Sequence, residues 1–478
     1  MKMIIGGKLV DSCSGNKMKI VNPGNGEFLD TVPEANTEDI NLAIKSALKG
    51  VEEVKKLPRH KRSEILFNTS QKILEHKEEL AVLLSKENGK TISAAKGEIS
   101  GVARVFIGFS ETIKRHNGIS IPMDANLGSE NMIAYTVREP VGIVLGIIPF
   151  NSPPGILSHK LAPAFAAGNA FIGKLPEEDP LTTLRISEFM LECGAPENSI
   201  NILTGKGKEV GGELAKRKEI NMITFTGSTE TGISLLKAGA DTIKRIQLEL
   251  GGSSPVIICD DADLDLATDS LIDDRIKFLS GQLCVASKRS FIQKNVFEQF
   301  KNMLIQKIGK LKIGDQLDPN TDVGPLISNK AALKVKTQVD ESIQMGAKCL
   351  IGNEIINKTF FKPTVLTEVN FNMPVLKEEV FGPVIPLYPF QTDEEAIEFA
   401  NNTEYGLSGA VFTVNINRAL KISNSIKAGT IAINRCGNSV GAKVPYGGYK
   451  KSGIGREGYV DSLDNMTEKK VIVFCGIS

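Results

Sequence analysis

Apolar residues near the N-terminus recur at the helical period. Ile40, Ala43, Ile44, Ala47, Leu48 and Val51 share one face, the spacing of an amphipathic helix packed on a core. Thr37 reads as its N-cap and Pro58 as its stop. A second helix is expected over 60–87, with Ile65, Leu66, Ile73, Leu80 and Leu84 inward and Gly89 at its end. A third is expected over 94–115. The period then changes. Residues 131–138 read as a polar, partly exposed strand, and 141–148 as a continuously apolar, β-branched one covered on both faces. Strands at 170–174, 200–203, 221–225 and 244–249 alternate with helices at 160–167, 181–193, 210–216 and 230–238. Such alternation builds a parallel, doubly wound sheet, which takes ligands beyond the carboxyl ends of its strands.

The alternation restarts after Pro255. Residues 256–259, 289–293, 383–389, 410–414 and 430–433 are strand-like; 263–279, 296–310, 330–345, 394–401 and 418–425 are helix-like. The fold class is therefore α/β, with two doubly wound domains and a small β arm. Residues 469–474 predict a short strand with no obvious partner in their own neighbourhood. That strand and 131–138 are expected to cross between subunits of a homo-oligomer, a dimer or a tetramer.

Composition removes other classes. The 57 Lys and Arg balance 56 Asp and Glu, so the broad basic surface of a nucleic-acid or anionic-membrane binder is not expected. With 41% hydrophobic and 24% charged residues, the chain is neither disordered nor collagenous. No apolar window reaches membrane-spanning length, the best being 141–149. The N-terminus lacks the long apolar run of a secretory signal. The seven cysteines are odd in number and scattered without a CxxC pair, which reads as reduced thiols in a cytoplasmic chain. His60, His76, His116 and His159 show no metal-ligand spacing, so no metal is expected.

Four segments carry candidate chemistry. Phe225-Thr226-Gly227-Ser228 follows a strand and opens a helix, with Gly232 four residues further on; glycines at such a turn let a phosphate approach a helix N-terminus. Glu249-Leu250-Gly251-Gly252 puts a carboxylate at a strand end, free of bulky neighbours. Gly281-Gln282-Leu283-Cys284 puts a thiol beside a glycine, just before a strand; a thiolate there needs an electropositive setting or a base. Pro149-Phe150-Asn151 presents an amide at the edge of the first central strand. Each segment alone also has an ordinary structural explanation: a turn, a cap, a buried small side chain.

In this order the segments resemble the aldehyde dehydrogenase superfamily, specifically its hydrolytic, acid-forming members. The resemblance covers nearly the whole chain. It also takes in Gly173-Lys174-Leu175-Pro176-Glu177, Glu379-Val380-Phe381-Gly382-Pro383 and the run from Pro445 to Arg456. It implies a Rossmann-like dinucleotide-binding domain from 1–118 and 138–249, a catalytic domain over 250–455, and an oligomerisation arm from 119–137 and 456–478.

The resemblance also implies roles. Cys284 is the nucleophile that forms a thiohemiacetal and then a thioester. Asn151, with the Cys284 N–H, holds the oxyanion. Glu249 is the base that activates water. Lys174 and Glu177 meet the adenosine ribose. Phe225, Gly227, Ser228 and Gly232 form the pyrophosphate turn. Glu379 holds the nicotinamide ribose, with Phe381 beside the ring. A carboxylate at Glu177 favours NAD, because it repels a 2′-phosphate; Lys174 leaves NADP open. The substrate is a small aldehyde, with Arg104, His159 and Arg435 as candidate contacts and the lactaldehyde-like, small polar aldehydes closest in pattern. Leu283 stands where relatives acting on phosphorylated aldehydes can carry Arg. Two alternatives stay open: transfer of the acyl group to coenzyme A, whose enzymes generally lack the equivalent of Glu249, and a catalytically silent protein of the same fold.

Overall fold

The computed structural model describes residues 1–437, 441 and 443–475. Two large sheets dominate it. The first has eight strands, in the order Lys8–Val10, Met3–Ile5, Ile200–Leu203, Ala170–Lys174, Ile143–Ile147, Met222–Thr226, Arg245–Glu249 and Gly453–Ile454. Its five central strands are parallel. The chain steps outward from Ile143–Ile147 in one direction, then returns to lay Met222–Thr226 on its other side. The strand order thus reverses beside Ile143–Ile147, where open parallel sheets part to make a binding crevice. All residues of Ile143–Ile147, Ala170–Lys174 and Met222–Thr226 are buried, as their mostly apolar character favours.

The second sheet has seven strands, in the order Lys348–Ile351, Thr364–Thr367, Val384–Phe390, Ser287–Gln293, Ser254–Ile258, Ser408–Phe412 and Thr430–Ile433. Only the edge strand Lys348–Ile351 is antiparallel. The chain passes from one sheet to the other through the short link between Glu249 and Ser254, so the carboxyl end of the first sheet adjoins the amino end of the second. Past residue 443 it returns, and Gly453–Ile454 closes the edge of the first sheet against Arg245–Glu249.

Several expected boundaries move. Thr37 is the first residue of the helix Thr37–Lys56, not its cap. Asn36 caps it, accepting from the Asp39 N–H at 3.0 Å while the Asp39 carboxylate accepts from the Asn36 N–H at 3.0 Å; this reciprocal box outcompetes a lone threonine. The helix expected over 60–87 is two, Arg59–Glu75 and Lys77–Asn88, broken at His76. Gly89 ends the second in the left-handed region, as expected. The segment expected as one helix over 263–279 turns irregular after Ile272.

The tail strand, Thr467–Phe474, has a partner in its own chain. It runs antiparallel to Ile133–Pro140 along its whole length, from Thr467 opposite Pro140 to Phe474 opposite Ile133, with Ser120–Ile121 on the far side. That partner is not in its sequence neighbourhood: the pairing joins segments more than 300 residues apart, as the 2.6 Å bond from Lys470 Nζ to Glu139 spans 331 positions. Among the described residues no helix is long and apolar enough to cross a membrane.

Candidate active site

Cys284 sits at the end of a strained loop. Leu279, Ser280 and Gly281 are consecutive left-handed residues, a conformation that costs a non-glycine residue about 1 kcal/mol or more. Gly281 is needed there: a Cβ would lie 2.5 Å from the Gly382 carbonyl oxygen and 2.6 Å from that of Arg275. The fully buried Arg275 holds the loop. Its guanidinium donates to the carbonyls of Gly281, Val380 and Val384, each at 2.9 Å. Ser280 Oγ donates to the Gly324 carbonyl at 2.8 Å. These bonds deliver Cys284, half-buried, to the wall of the large cleft between the sheets.

Three groups surround the sulfur. Tyr446 Oη lies 3.7 Å from Cys284 Sγ. Lys288 is 1% exposed; its ammonium donates to the Leu283 and Cys284 carbonyls at 2.7 and 2.8 Å and pairs with Glu379 at 3.0 Å. Burial raises the Cys284 thiol above its ordinary range, while the Lys288 charge and the Tyr446 hydrogen bond pull it back. The third group is Glu249, close enough for its charge to act on the thiol. It ends the last parallel strand of the first sheet, 2% exposed, and neither carboxylate oxygen has a hydrogen-bond partner among the described residues. Burial, then the charge of Glu457, holds its carboxyl well above the usual range; Lys160 and Arg456 oppose them. Lys160 binds Glu457 at 2.8 Å and Thr224 at 3.1 Å. Close packing leaves room for both centres only beside glycine: a Cβ on Gly252 would lie 2.5 Å from the Cys284 carbonyl oxygen, and one on Gly447 3.0 Å from Glu249 Oε1.

Asn151 is buried in the turn between Ile143–Ile147 and the helix Pro153–Ala167, and it lines the same cleft. Its backbone is fixed from behind. Buried Lys90 donates to the Asn151 carbonyl at 3.3 Å and also binds Glu98. Glu98 accepts from Ser152 Oγ at 2.7 Å and from the Gly155 N–H at 3.1 Å. Asn88 Nδ2 donates to the Phe150 carbonyl at 2.7 Å.

The cleft, about 1140 Å³, runs from Asn151 and Cys284 past Glu379 and Phe381 to Thr226, Gly227 and Ser228 at the start of the helix Thr229–Gly239. Its volume exceeds an ordinary small-molecule pocket. A helix N-terminus at one end favours phosphate, and the Glu379 carboxylate along its wall can accept from hydroxyls. The residues present fit a nicotinamide dinucleotide. Some expected contacts are otherwise engaged. Ser228 Oγ accepts from the Thr231 N–H at 3.2 Å as the helix cap. Phe225 is buried beneath the turn. Gly232 faces Leu250, whose side chain would lie 2.5 Å from an added Cβ. Glu177 accepts from the Gly207 N–H at 2.7 Å. Burial pulls the Lys174 ammonium down to about 8, against the charges of Glu177 and Glu178.

The three substrate candidates do not converge. Arg104 is exposed on the helix Ile92–Ile113, and its carbonyl accepts from Tyr459 Oη at 3.2 Å. Arg435 is exposed beyond Thr430–Ile433. His159 lies beside the Lys160–Glu457 pair, with Nδ1 unpartnered among the described residues; burial pulls its pKa down. None of the three lines the cleft. Conversely, Lys288, Tyr446 and Glu457, the partner of Lys160, flank the reactive groups and are not among the residues expected at the site. Tyr446 stands inside the run from Pro445 to Arg456 and Lys288 four residues past Cys284, but no sequence pattern says which way their side chains turn.

A model of the aldehyde dehydrogenase family matches residues 9–472. The chain is 36% identical to a mitochondrial succinate-semialdehyde dehydrogenase of Arabidopsis thaliana, over 98% of this chain and 88% of that one. It is 36% identical to a 3-sulfolactaldehyde dehydrogenase of Priestia aryabhattai, over 96% and 95%. A crystal structure of betaine aldehyde dehydrogenase from Staphylococcus aureus in complex with NAD+ superposes with a TM-score of 0.95 at 36% identity, covering 99% of this chain and 97% of that one. The crevice between the sheets thus has its counterpart in a dinucleotide-binding relative, and the chain belongs to the aldehyde dehydrogenase family.

Proposed function

We propose that this NAD(P)-dependent oxidation of a small aldehyde to its acid runs through Cys284, Asn151 and Glu249. The Cys284 thiolate adds to the aldehyde carbon, and the carbonyl oxygen becomes an oxyanion. Asn151 Nδ2 and the Cys284 N–H donate to that oxyanion; one such donor typically lowers the barrier by about 3 kcal/mol. Glu379, Phe381 and the Gly227–Ser228 turn would hold a nicotinamide dinucleotide in the cleft, which would accept the hydride expelled from the former aldehyde carbon as the oxyanion collapses to the thioester on Cys284. Glu249 takes a proton from water as that water attacks the thioester. The acid departs and the thiolate is restored. The observation that carries this reading is the pairing of a cleft-lining thiol with an unsatisfied, buried carboxylate close enough to act on its charge.

NAD is the preferred cofactor in this reading, since Glu177 is a carboxylate at the expected ribose site, and NADP is the second choice. The substrate is a small polar aldehyde; the sulfolactaldehyde and semialdehyde relatives support that class. All seven cysteines are free, which supports a reducing, cytoplasmic setting. The β arm supports a homodimer or homotetramer. The test is turnover of short aldehydes, polar and apolar, with each cofactor and with or without coenzyme A. The reading expects acid product, no stimulation by coenzyme A and a dead Cys284→Ala. A working Cys284→Ala, or acyl-CoA as the product, overturns it.

A further inference from the structure

We propose that the Tyr446 hydroxyl donates a hydrogen bond to the Cys284 sulfur and so sets the pH at which the nucleophile forms. The inference rests on Cys284 being the nucleophile, and it makes Tyr446 a positioning residue.

The geometry begins with the backbone. Tyr446 and Glu457 exchange two hydrogen bonds, each N–H to the other's carbonyl at 2.7 Å. The Glu457 carboxylate is in turn fixed by Lys160 at 2.8 Å. Tyr446 is therefore anchored, and its Oη stands 3.7 Å from Cys284 Sγ, a hydrogen-bonding separation for an acceptor as large as sulfur.

The direction of the bond follows from the surroundings. Burial, then the charges of Cys284, Glu249 and Glu457, hold the phenol far above its ordinary range, so it keeps its proton wherever the enzyme works. A thiolate can only accept. Once the thiolate has formed, the shared proton can therefore lie only on Tyr446 oxygen.

The charge balance gives the bond its consequence. Lys288 is the cation that favours the thiolate; Glu379 and Glu249 disfavour it, and so does burial. Lys288 is also partly neutralised by its own pairing with Glu379 at 3.0 Å. The phenol is the one neutral donor to the sulfur among the described residues. Hydrogen bonding to the charged form of a group favours that form.

The test is the rate of Cys284 alkylation by iodoacetamide against pH, in the full-length protein and in Tyr446→Phe, with the modified residue mapped by mass spectrometry. Removing the donor should raise the midpoint by about one pH unit. It should slow alkylation at neutral pH about tenfold. The plateau at high pH should be unchanged or higher, because a more basic thiolate is the better nucleophile. A merely structural role would instead lower the rate at every pH with the midpoint in place. That result, or superimposable profiles, overturns the inference. Ultraviolet absorbance of the thiolate, titrated in Tyr446→Phe against Tyr446→Phe/Cys284→Ala, must move by the same amount; an unmoved midpoint also overturns it. Turnover of Cys284→Ala separates the two levels. If that variant stays active, the assignment of the nucleophile fails. If it is dead while the Tyr446→Phe profile is unmoved, only the role of Tyr446 fails.

Discussion

Glu249 carries two carboxylate oxygens that no described group satisfies. An ionised carboxylate in that position is expensive, and its raised pKa is the physical result. For a general base the same cost is useful, because a raised pKa makes the carboxylate the stronger acceptor of a proton from water. After burial itself, the charge of Glu457 is the largest contribution to the rise. Glu457→Gln removes that charge and frees Lys160, and both changes stabilise ionised Glu249. Its pKa then falls, and the base form exists at lower pH. The ascending limb of the pH–rate profile for thioester hydrolysis should move to lower pH in Glu457→Gln; a limb that stays or moves upward contradicts this. At this scale the sequence is readable only in part. Cys284, Glu249 and Asn151 stand out because their motifs flank strand ends. Lys288 and Tyr446 do not, because their importance lies in where the side chains turn.

Among the elements, the central parallel strands are the most legible. A strand covered on both faces is mostly apolar, and Ala170–Lys174 and Ile200–Leu203 fall where the pattern predicts, as does the edge strand Thr430–Ile433. The short strands Met3–Ile5, Lys8–Val10, Lys17–Val21 and Phe28–Pro33 are invisible to it, since they are too short or too exposed to show a period. The break at His76 is likewise hidden, because the apolar spacing runs on across it. The loop before Cys284 is legible only as a glycine beside a cysteine. Its strain, and the Arg275 clamp that sustains it, come from contacts distant in sequence. Gly281→Ala adds a Cβ against two backbone carbonyls that have little room to retreat. It should lower the thermal midpoint, cost about 1 kcal/mol or more, and slow Cys284 alkylation. An unchanged midpoint and unchanged alkylation would show that the loop does not depend on that glycine.

In the whole molecule, the two sheets meet so that the thiol comes from a loop of the second and the carboxylate from a strand end of the first. Neither sheet holds a complete site, which is why the pattern of each half alone says little about chemistry. The arm is a separate matter. It pairs within the chain, yet Ile133, Val471, Val473 and Phe474 remain exposed along it, more apolar surface than a lone arm needs. Light scattering at micromolar concentration should give a multiple of the 51.6 kDa chain mass. Val471→Asp with Val473→Asp should shift it to a smaller species. A native protein of single-chain mass contradicts an oligomeric enzyme.

In the proposed mechanism the aldehyde carbon is held on Cys284 and released by water that Glu249 activates. The most direct test is a single-turnover experiment on Glu249→Gln with NAD and a substrate aldehyde. The expected result is a burst of reduced nicotinamide close to one equivalent per active site, then slow turnover, with the acyl group found by mass spectrometry on the peptide carrying Cys284. Unimpaired steady turnover without a burst, or an acyl group on any other residue, would contradict it.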